Sequence, residues 1–264
     1  NAETRPTRPF VVPDGGDWSF GEGHAAACRF AARLQQAGIA PGDHVALMAG
    51  NSAGFLVAWF GINLAGAVAV TINTQLVGDG LAYVVGQSGS RLVVADRDCL
   101  AAHGATGSAA FHGIALIELA ADPVLMGETA SGPDLASVRL DNLAPATMMY
   151  TSGTTGRPKG VVNSHAAYLA AGSQMVSALG FAEDDRCMVV LPLFHANPQM
   201  YAVMSALQAG CALVLREKFS ATTFFDDARR FGATCFTYVG TILSILVARH
   251  AADRAELAYA RLSE

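Results

Sequence analysis

One eleven-residue run concentrates the chemistry of this chain: Tyr150-Thr151-Ser152-Gly153-Thr154-Thr155-Gly156-Arg157-Pro158-Lys159-Gly160. Its three glycines let the main chain turn sharply and approach a ligand closely. Successive N–H groups in such a turn form a concave nest for an anion. Thr151, Ser152, Thr154 and Thr155 add four hydroxyl donors, and Lys159 adds a flexible point charge suited to phosphate. Many donors and no carboxylate describe a cradle for a polyanion. A glycine-rich hairpin joining Met148-Met149-Tyr150 to Val161-Val162 would use similar residues, but the complete ten-residue pattern from Thr151 argues against that simpler reading. A Walker phosphate loop is excluded. It needs Gly-Lys-Ser/Thr directly before a helix, whereas here Pro158 precedes Lys159 and Gly160 follows it.

Leu191-Pro192-Leu193-Phe194-His195 is the second candidate. His195 lies just past an expected buried strand, where α/β proteins place ligand contacts. Alternatively it satisfies backbone groups at a strand end. Glu183-Asp184-Asp185 and Asp226-Asp227 read as solvated turns or helix faces, not as metal ligands. His103 and His112 lack ligand spacing, and no metal site is expected in the chain.

The elements that must hold these residues are read from period and punctuation. Ser19-Phe20-Gly21-Glu22 has the capping-box form and opens a helix ending near Gly38. Val45–Met48 is a short buried strand. Between Val45 and Gly78 there is no charged side chain, and Phe55 to Ile72 is almost continuously apolar. We read this segment as a buried helix capped by Ser52 and ended by Gly66, then the strand Val68-Ala69-Val70, because no basic cluster or aromatic belt flanks a membrane span. Leu81–Gln87 is helical; Arg91–Ala95 and Ile114–Leu119 are strands. The second stretch opens with the strand Thr147–Tyr150 and continues through Val161-Val162. A helix over Ser164–Leu179, a strand over Cys187–Leu191 and a helix over Gln199–Gln208 follow. Then come the strand Ala212–Leu215, the helix Thr222–Arg230, the strand Thr234–Tyr238 and the helix Ile242–Arg249. Residues 251–262 look like a further helix. Alternating strands and helices predict an α/β fold, layered, with mostly parallel sheets flanked by helices. Two α/β stretches, 17–119 and 146–264, are expected on either side of a proline-containing loop, 120–145.

The 264 residues are 52% hydrophobic and 15% charged, which excludes a disordered chain. A net charge of −5 gives no basic footprint, so no nucleic-acid partner is expected. Only two of the 17 basic residues are lysines, and one of them is Lys159. The five cysteines are scattered and contain no CxxC pair, which fits free thiols and a cytoplasmic protein.

Thr151 to Gly160 resembles the phosphate-binding signature of the adenylate-forming superfamily at every characteristic position, and Leu191–His195 resembles that family's next motif. The order of elements from Ser19 to Ala95 is similar too. The likeness covers nearly the whole chain but only the amino-terminal half of a family member, so residues 1–264 are expected to be an incomplete adenylation domain without its carboxy-terminal domain. The resemblance implies an ATP-dependent acid–CoA ligase. A carboxylate attacks the α-phosphorus of ATP, pyrophosphate leaves, and the thiol of coenzyme A then displaces AMP. It implies that Thr151, Ser152, Gly153, Thr154, Thr155, Gly156 and Lys159 hold the phosphates, with Lys159 and His195 in catalytic roles. His195 would lie beside the acid's carboxylate. Asn197, Met200 and Tyr238 would also contact the acid, although Met200 and Tyr238 suit core packing equally. The family's Mg²⁺ ligand, ribose-binding aspartate and terminal lysine have no counterpart here, so the fragment alone is expected to be nearly inactive. The absence of a carboxylate in Phe194-His195-Ala196-Asn197 favours a plain acyl substrate over an amino acid. A homodimer is compatible with the family. The reading from a different class is a non-catalytic nucleotide-binding or scaffolding half-domain.

Overall fold

The computed structural model describes residues 1–13, 17–102, 109–119, 138, 141–151 and 157–250, and among these described residues eleven strands and eight α-helices follow one another. They form two compact units, residues 22–168 and residues 1–21 with 169–264.

The unit of residues 22–168 is built on a six-stranded sheet. Its strands are β3 (His44–Met48), β4 (Val68–Thr71), β5 (Leu92–Asp96), β6 (Ala115–Leu119), β7 (Pro145–Thr151) and β8 (Lys159–Ser164), in the order β6-β5-β3-β4-β7-β8. All neighbours are parallel except β7 and β8. β4 is buried at every position, and Val45 to Met48 of β3 are fully enclosed, as expected where helices cover both faces of a parallel sheet. One covering helix is α2 (Ala53–Leu64). Ser52 caps it by accepting from Phe55 N at 3.1 Å, and Gly66 follows with φ +79°. At 12 residues it reaches only about 18 Å, too short to span a bilayer. No helix among the described residues is long and apolar enough to cross a membrane. Helix α1 (Phe20–Gln36) begins directly after Ser19, with Glu22 in its first turn. Helix α3 (Gly78–Ser88) buries Leu81, Val84 and Val85 on the other face, against Val70, Val93 and Ala95. Helix α4 (Arg97–Ala102) follows β5, with Asp96 accepting from Cys99 N at its start.

The other unit holds a five-stranded sheet of β1 (Pro9–Val12), β2 (Trp18–Ser19), β9 (Arg186–Val189), β10 (Ala212–Leu215) and β11 (Cys235–Phe236), ordered β11-β9-β10-β1-β2. Only β2 is antiparallel to its neighbour. Helix α5 (His165–Leu179) lies mostly in this unit. It meets α6 (Met204–Ala209) at Gly172, where a Cβ would fall 2.8 Å from the Met204 backbone, so only glycine allows that approach. Helices α7 (Phe224–Phe231) and α8 (Gly240–His250) pack Phe224, Phe225, Ile242 and Leu246 against Met188 and Val214.

Three expectations differ from this structure. The helix expected over Gln199–Gln208 is a π-helical turn, Pro198–Val203, continued by α6. The strands expected to end at Leu191 and Tyr238 stop at Val189 and Phe236. The units also do not follow the stretches 17–119 and 146–264. β7 pairs in register with β4, and β1 with β10, so each sheet recruits strands from distant parts of the chain. The loop 120–145 lies largely outside the described residues, and the helix expected over 251–262 lies wholly outside them.

Candidate functional site

The polyanion-type run sits at the open end of the β7–β8 pair. Thr151 is paired with Lys159 and Tyr150 with Gly160, so both flanks of the run are fixed. Ser152, Gly153, Thr154, Thr155 and Gly156 lie outside the described residues. The contrast drawn from sequence between a hairpin and a phosphate loop therefore needs correcting: the run does connect two antiparallel strands. A hairpin supplies the two anchored ends that a donor-rich connection needs. Thr151 and Lys159 are both exposed there, facing solvent at the end of the ladder.

Residues without a motif support this end. A Cβ at Gly160 would lie 3.0 Å from Met148 Sδ and 3.3 Å from Tyr150 Cζ, so the tyrosine ring lies across the glycine. The Tyr150 hydroxyl donates to Gln87 Oε1 on α3. Burial, with a smaller contribution from nearby Tyr83, raises the Tyr150 pKa and keeps the phenol a donor at neutral pH. The Arg157 guanidinium stands 5.0 Å from the centre of the Tyr83 ring, a cation–π contact next to the run. Behind β7, the Trp59 indole N–H donates to the buried Thr147 Oγ1 at 3.3 Å, and Tyr168 packs on the same indole at 5.4 Å. Sequence reading found none of Tyr83, Gln87 or Tyr150's anchoring role, because these contacts are distant in the chain.

In the other unit, the segment after β9 turns at Pro192, where His195 N donates to Pro192 O at 3.0 Å. Gln199 Nε2 donates to Leu193 O at 2.6 Å inside the protein and pins the turn. The His195 ring lies 4.4 Å from the Phe194 ring. His195 is exposed on one side, yet desolvation on the other lowers its pKa, so the imidazole is neutral at pH 7. A cavity of about 400 Å³ opens between the end of α5 and β11. Its lining mixes the apolar Met175, Leu179 and Phe181 with the polar Asp185, Asn197, Thr234 and Thr237 and with Tyr201 and Tyr238. Asn197 Nδ2 donates to Tyr238 O at 3.3 Å. Of the acid-contact candidates, Asn197 and Tyr238 thus meet at one cavity. His195 lies two residues before Asn197 but is not in the wall, and half-buried Met200 is not in it either.

In the two acidic runs Glu183, Asp184 and Asp226 are exposed on a turn or helix face as expected, whereas Asp185 and Asp227 are partly enclosed. Asp185 lines the cavity and is not a freely solvated turn: its Oδ1 accepts from Thr234 Oγ1 at 2.6 Å and its Oδ2 from Ala182 N at 2.8 Å. Glu183 pairs with Arg5 at 2.6 Å, and Asp227 forms a mostly buried pair with Arg216 at 3.3 Å.

The AMP-binding enzyme family matches this chain over residues 1–263. The chain belongs to that family. It is 31% identical over 234 residues to the medium/long-chain-fatty-acid–CoA ligase FadD17 of Mycobacterium marinum, covering 88% of this chain and 44% of the relative. It is 33% identical over 225 residues to a crotonobetaine/carnitine–CoA ligase of Salmonella paratyphi C, covering 81% and 44%. The chain therefore spans less than half the length of these curated relatives. The o-succinylbenzoate coenzyme A synthetase MenE of Bacillus subtilis in complex with AMP superposes with a TM-score of 0.81 at 28% identity, covering 94% of this chain and 62% of that one. The same enzyme solved with ATP and a magnesium ion gives a TM-score of 0.80 at 27% identity, covering 93% and 64%. The layered α/β fold with two largely parallel sheets is that of the amino-terminal domains of adenylate-forming enzymes.

Proposed function

We propose that this chain is the nucleotide- and acid-binding part of an ATP-dependent carboxylic acid–CoA ligase. The observation that carries the reading is the pairing of Thr151 with Lys159 at the exposed end of the β7–β8 hairpin, which holds both ends of a run rich in N–H, O–H and ammonium donors. The relatives support it, since FadD17 and the crotonobetaine/carnitine enzyme are CoA ligases and MenE has been solved with ATP and magnesium.

The reaction is a nucleotidyl transfer followed by an acyl transfer. A carboxylate oxygen of the acid attacks the α-phosphorus, and the bond to the pyrophosphate oxygen breaks. The thiol of coenzyme A then attacks the acyl carbon and AMP leaves. No protein nucleophile is required, so the chain contributes positioning and charge. Thr151, Ser152, Thr154 and Thr155 donate to the β- and γ-phosphates, with Gly153 and Gly156 giving backbone access. Lys159 balances charge on the departing pyrophosphate. Neutral His195 offers a ring N–H to a carboxylate oxygen, and Asn197 and Tyr238, which meet at the cavity beside β11, receive the body of the acid. Mg²⁺ bound with the triphosphate would take its protein ligand from the part of the family's length that this chain does not span, and no step is assigned to it here. The free thiols Cys28, Cys99, Cys187, Cys211 and Cys235 suit a cytoplasmic setting.

Isothermal titration of the chain with ATP tests the reading. Lys159→Ala should weaken binding at least about tenfold, and in the assembled ligase it should slow ATP–pyrophosphate exchange by about 10²–10³. Equal ATP affinity in the two proteins would remove Lys159 and the hairpin end from the nucleotide site.

A further inference from the structure

Two side chains of α3 meet the donor-rich run from Thr151 to Gly160, and they do so at different points. Tyr83 and Gln87 stand four residues apart in α3, so they share one face of the helix. Gln87 Oε1 accepts from the hydroxyl of Tyr150, the residue just before the run. Tyr83 carries the Arg157 guanidinium 5.0 Å from its ring centre, near the run's far end.

The base of this grip is firm. Helix α3 buries Leu81, Val84 and Val85, and the Tyr83 and Tyr150 side chains pack against the same cluster. The Tyr150 ring lies across Gly160, where a Cβ would come within 3.3 Å of its Cζ. Gln87, by contrast, is exposed, so its contact with Tyr150 is not a by-product of core packing. Arg157 lies beyond the strand ladder, which ends where Thr151 pairs with Lys159. Its contact with Tyr83 therefore adds a hold that the sheet does not provide. A run containing Gly153 and Gly156 loses much conformational freedom when it closes on a ligand. Anchors on both sides leave less of that freedom to lose, which tightens binding. The Tyr83 contact also keeps a second cation two residues from Lys159.

We infer that Tyr83 and Gln87 are positioning residues: through Arg157 and Tyr150 they hold the two flanks of the run in place for a polyphosphate and set how tightly the chain grips it. This rests on the proposed ligase reading, in which the run receives the triphosphate of ATP.

Calorimetric titration of the chain with inorganic tripolyphosphate tests the grip without a base or ribose. Tyr83→Leu should weaken binding about two- to fivefold, the effect of losing one exposed cation–π contact. Tyr83→Phe keeps the ring and should retain the parent affinity. Gln87→Leu and Tyr150→Phe should each weaken binding about fivefold, the loss of one hydrogen bond. The Gln87→Leu/Tyr150→Phe double variant should be no worse than either single one, because both remove the same bond. Likewise Tyr83→Leu should have no further effect in an Arg157→Gln background. Packing alone would not produce this non-additivity, and Tyr150→Phe, which removes one oxygen, keeps the test open if Tyr83→Leu fails to fold. Losses that add within a cycle would overturn the inference for the α3 residue in that cycle. Parent affinity in both Tyr83→Leu and Gln87→Leu, alongside weaker binding by Lys159→Ala, would overturn the whole inference and leave the phosphate run standing. No binding of tripolyphosphate by the unmodified chain would remove the polyphosphate role of the run and the inference with it.

Discussion

In the proposed ligase, the hairpin end of β7–β8 and the cavity beside β11 would solve opposite problems. The hairpin rests on a deep foundation: four parallel strands stand beyond β7, and Trp59, Thr147 and Tyr168 lock together behind it. The cavity borders a strand only two residues long at the edge of its sheet, with both strand residues partly exposed. Edge strands have fewer neighbours to oppose local opening. A polyanion presents the same oxygens in every substrate, so a rigid, contiguous set of donors serves it. A surface that sorts acids by their tails gains from walls drawn from several elements, each of which can change separately.

The sharpest way to break this contrast is to remove the foundation. Trp59→Ala empties a site that is 2% exposed and leaves Thr147 Oγ1 without its indole donor. It should cost about 3–5 kcal/mol in urea denaturation. A loss under about 1 kcal/mol would show that β7 does not depend on that packing.

A smaller effect is expected where the hairpin is thinnest. Gly160→Val places methyl groups where Met148 Sδ and the Tyr150 ring already lie, and should cost about 1–3 kcal/mol while detaching Tyr150 from Gln87. Gly160→Ala should fall below it. Equal stability of all three proteins would mean that Tyr150 does not need the glycine beneath it.

The smallest effect concerns protons. Burial lowers the pKa of both His165 and His195 from the ordinary value of 6.5. As pH falls through 6.5 the unfolded chain takes up protons before the folded one does. Their contribution to stability is therefore complete above that value and is lost progressively below it. Thermal melts near pH 7.5 and pH 5.5 should show a lower Tm at the acid end, with a shallower drop in a His165→Gln/His195→Gln double variant. An identical drop in that variant would assign the pH dependence elsewhere.

What the sequence shows and hides follows the same divide. Helix α2 is legible because Ser52 and Gly66 mark its ends and the apolar run between them has nowhere to go but inside. The run from Thr151 to Gly160 is legible because its chemistry lies in consecutive residues. The recruitment of β7 to β4 and of β1 to β10 is not, since strand partners are chosen across long separations by packing that no local pattern encodes. The π-helical turn at Pro198–Val203 looks helical in sequence, and its wider winding appears only with the coordinates. Asp185 and Tyr83 likewise gain meaning only from neighbours scores of residues away.

The register of Val11 with Leu213 has a consequence for how the protein is made. On the ribosome, β1 emerges about 200 residues before the strand it must lie beside. At about 5–20 residues per second that is a wait of roughly 10–40 s. During that interval Phe10, Val11 and Val12, all destined for the interior, stay uncovered, while the strands from His44 to Asp96 can already assemble. Until β10 has been made, the segment Phe10–Val12 is thus an uncovered apolar stretch of the nascent chain, and a chaperone that shields it during synthesis would matter more to yield than one that acts after β10 has formed.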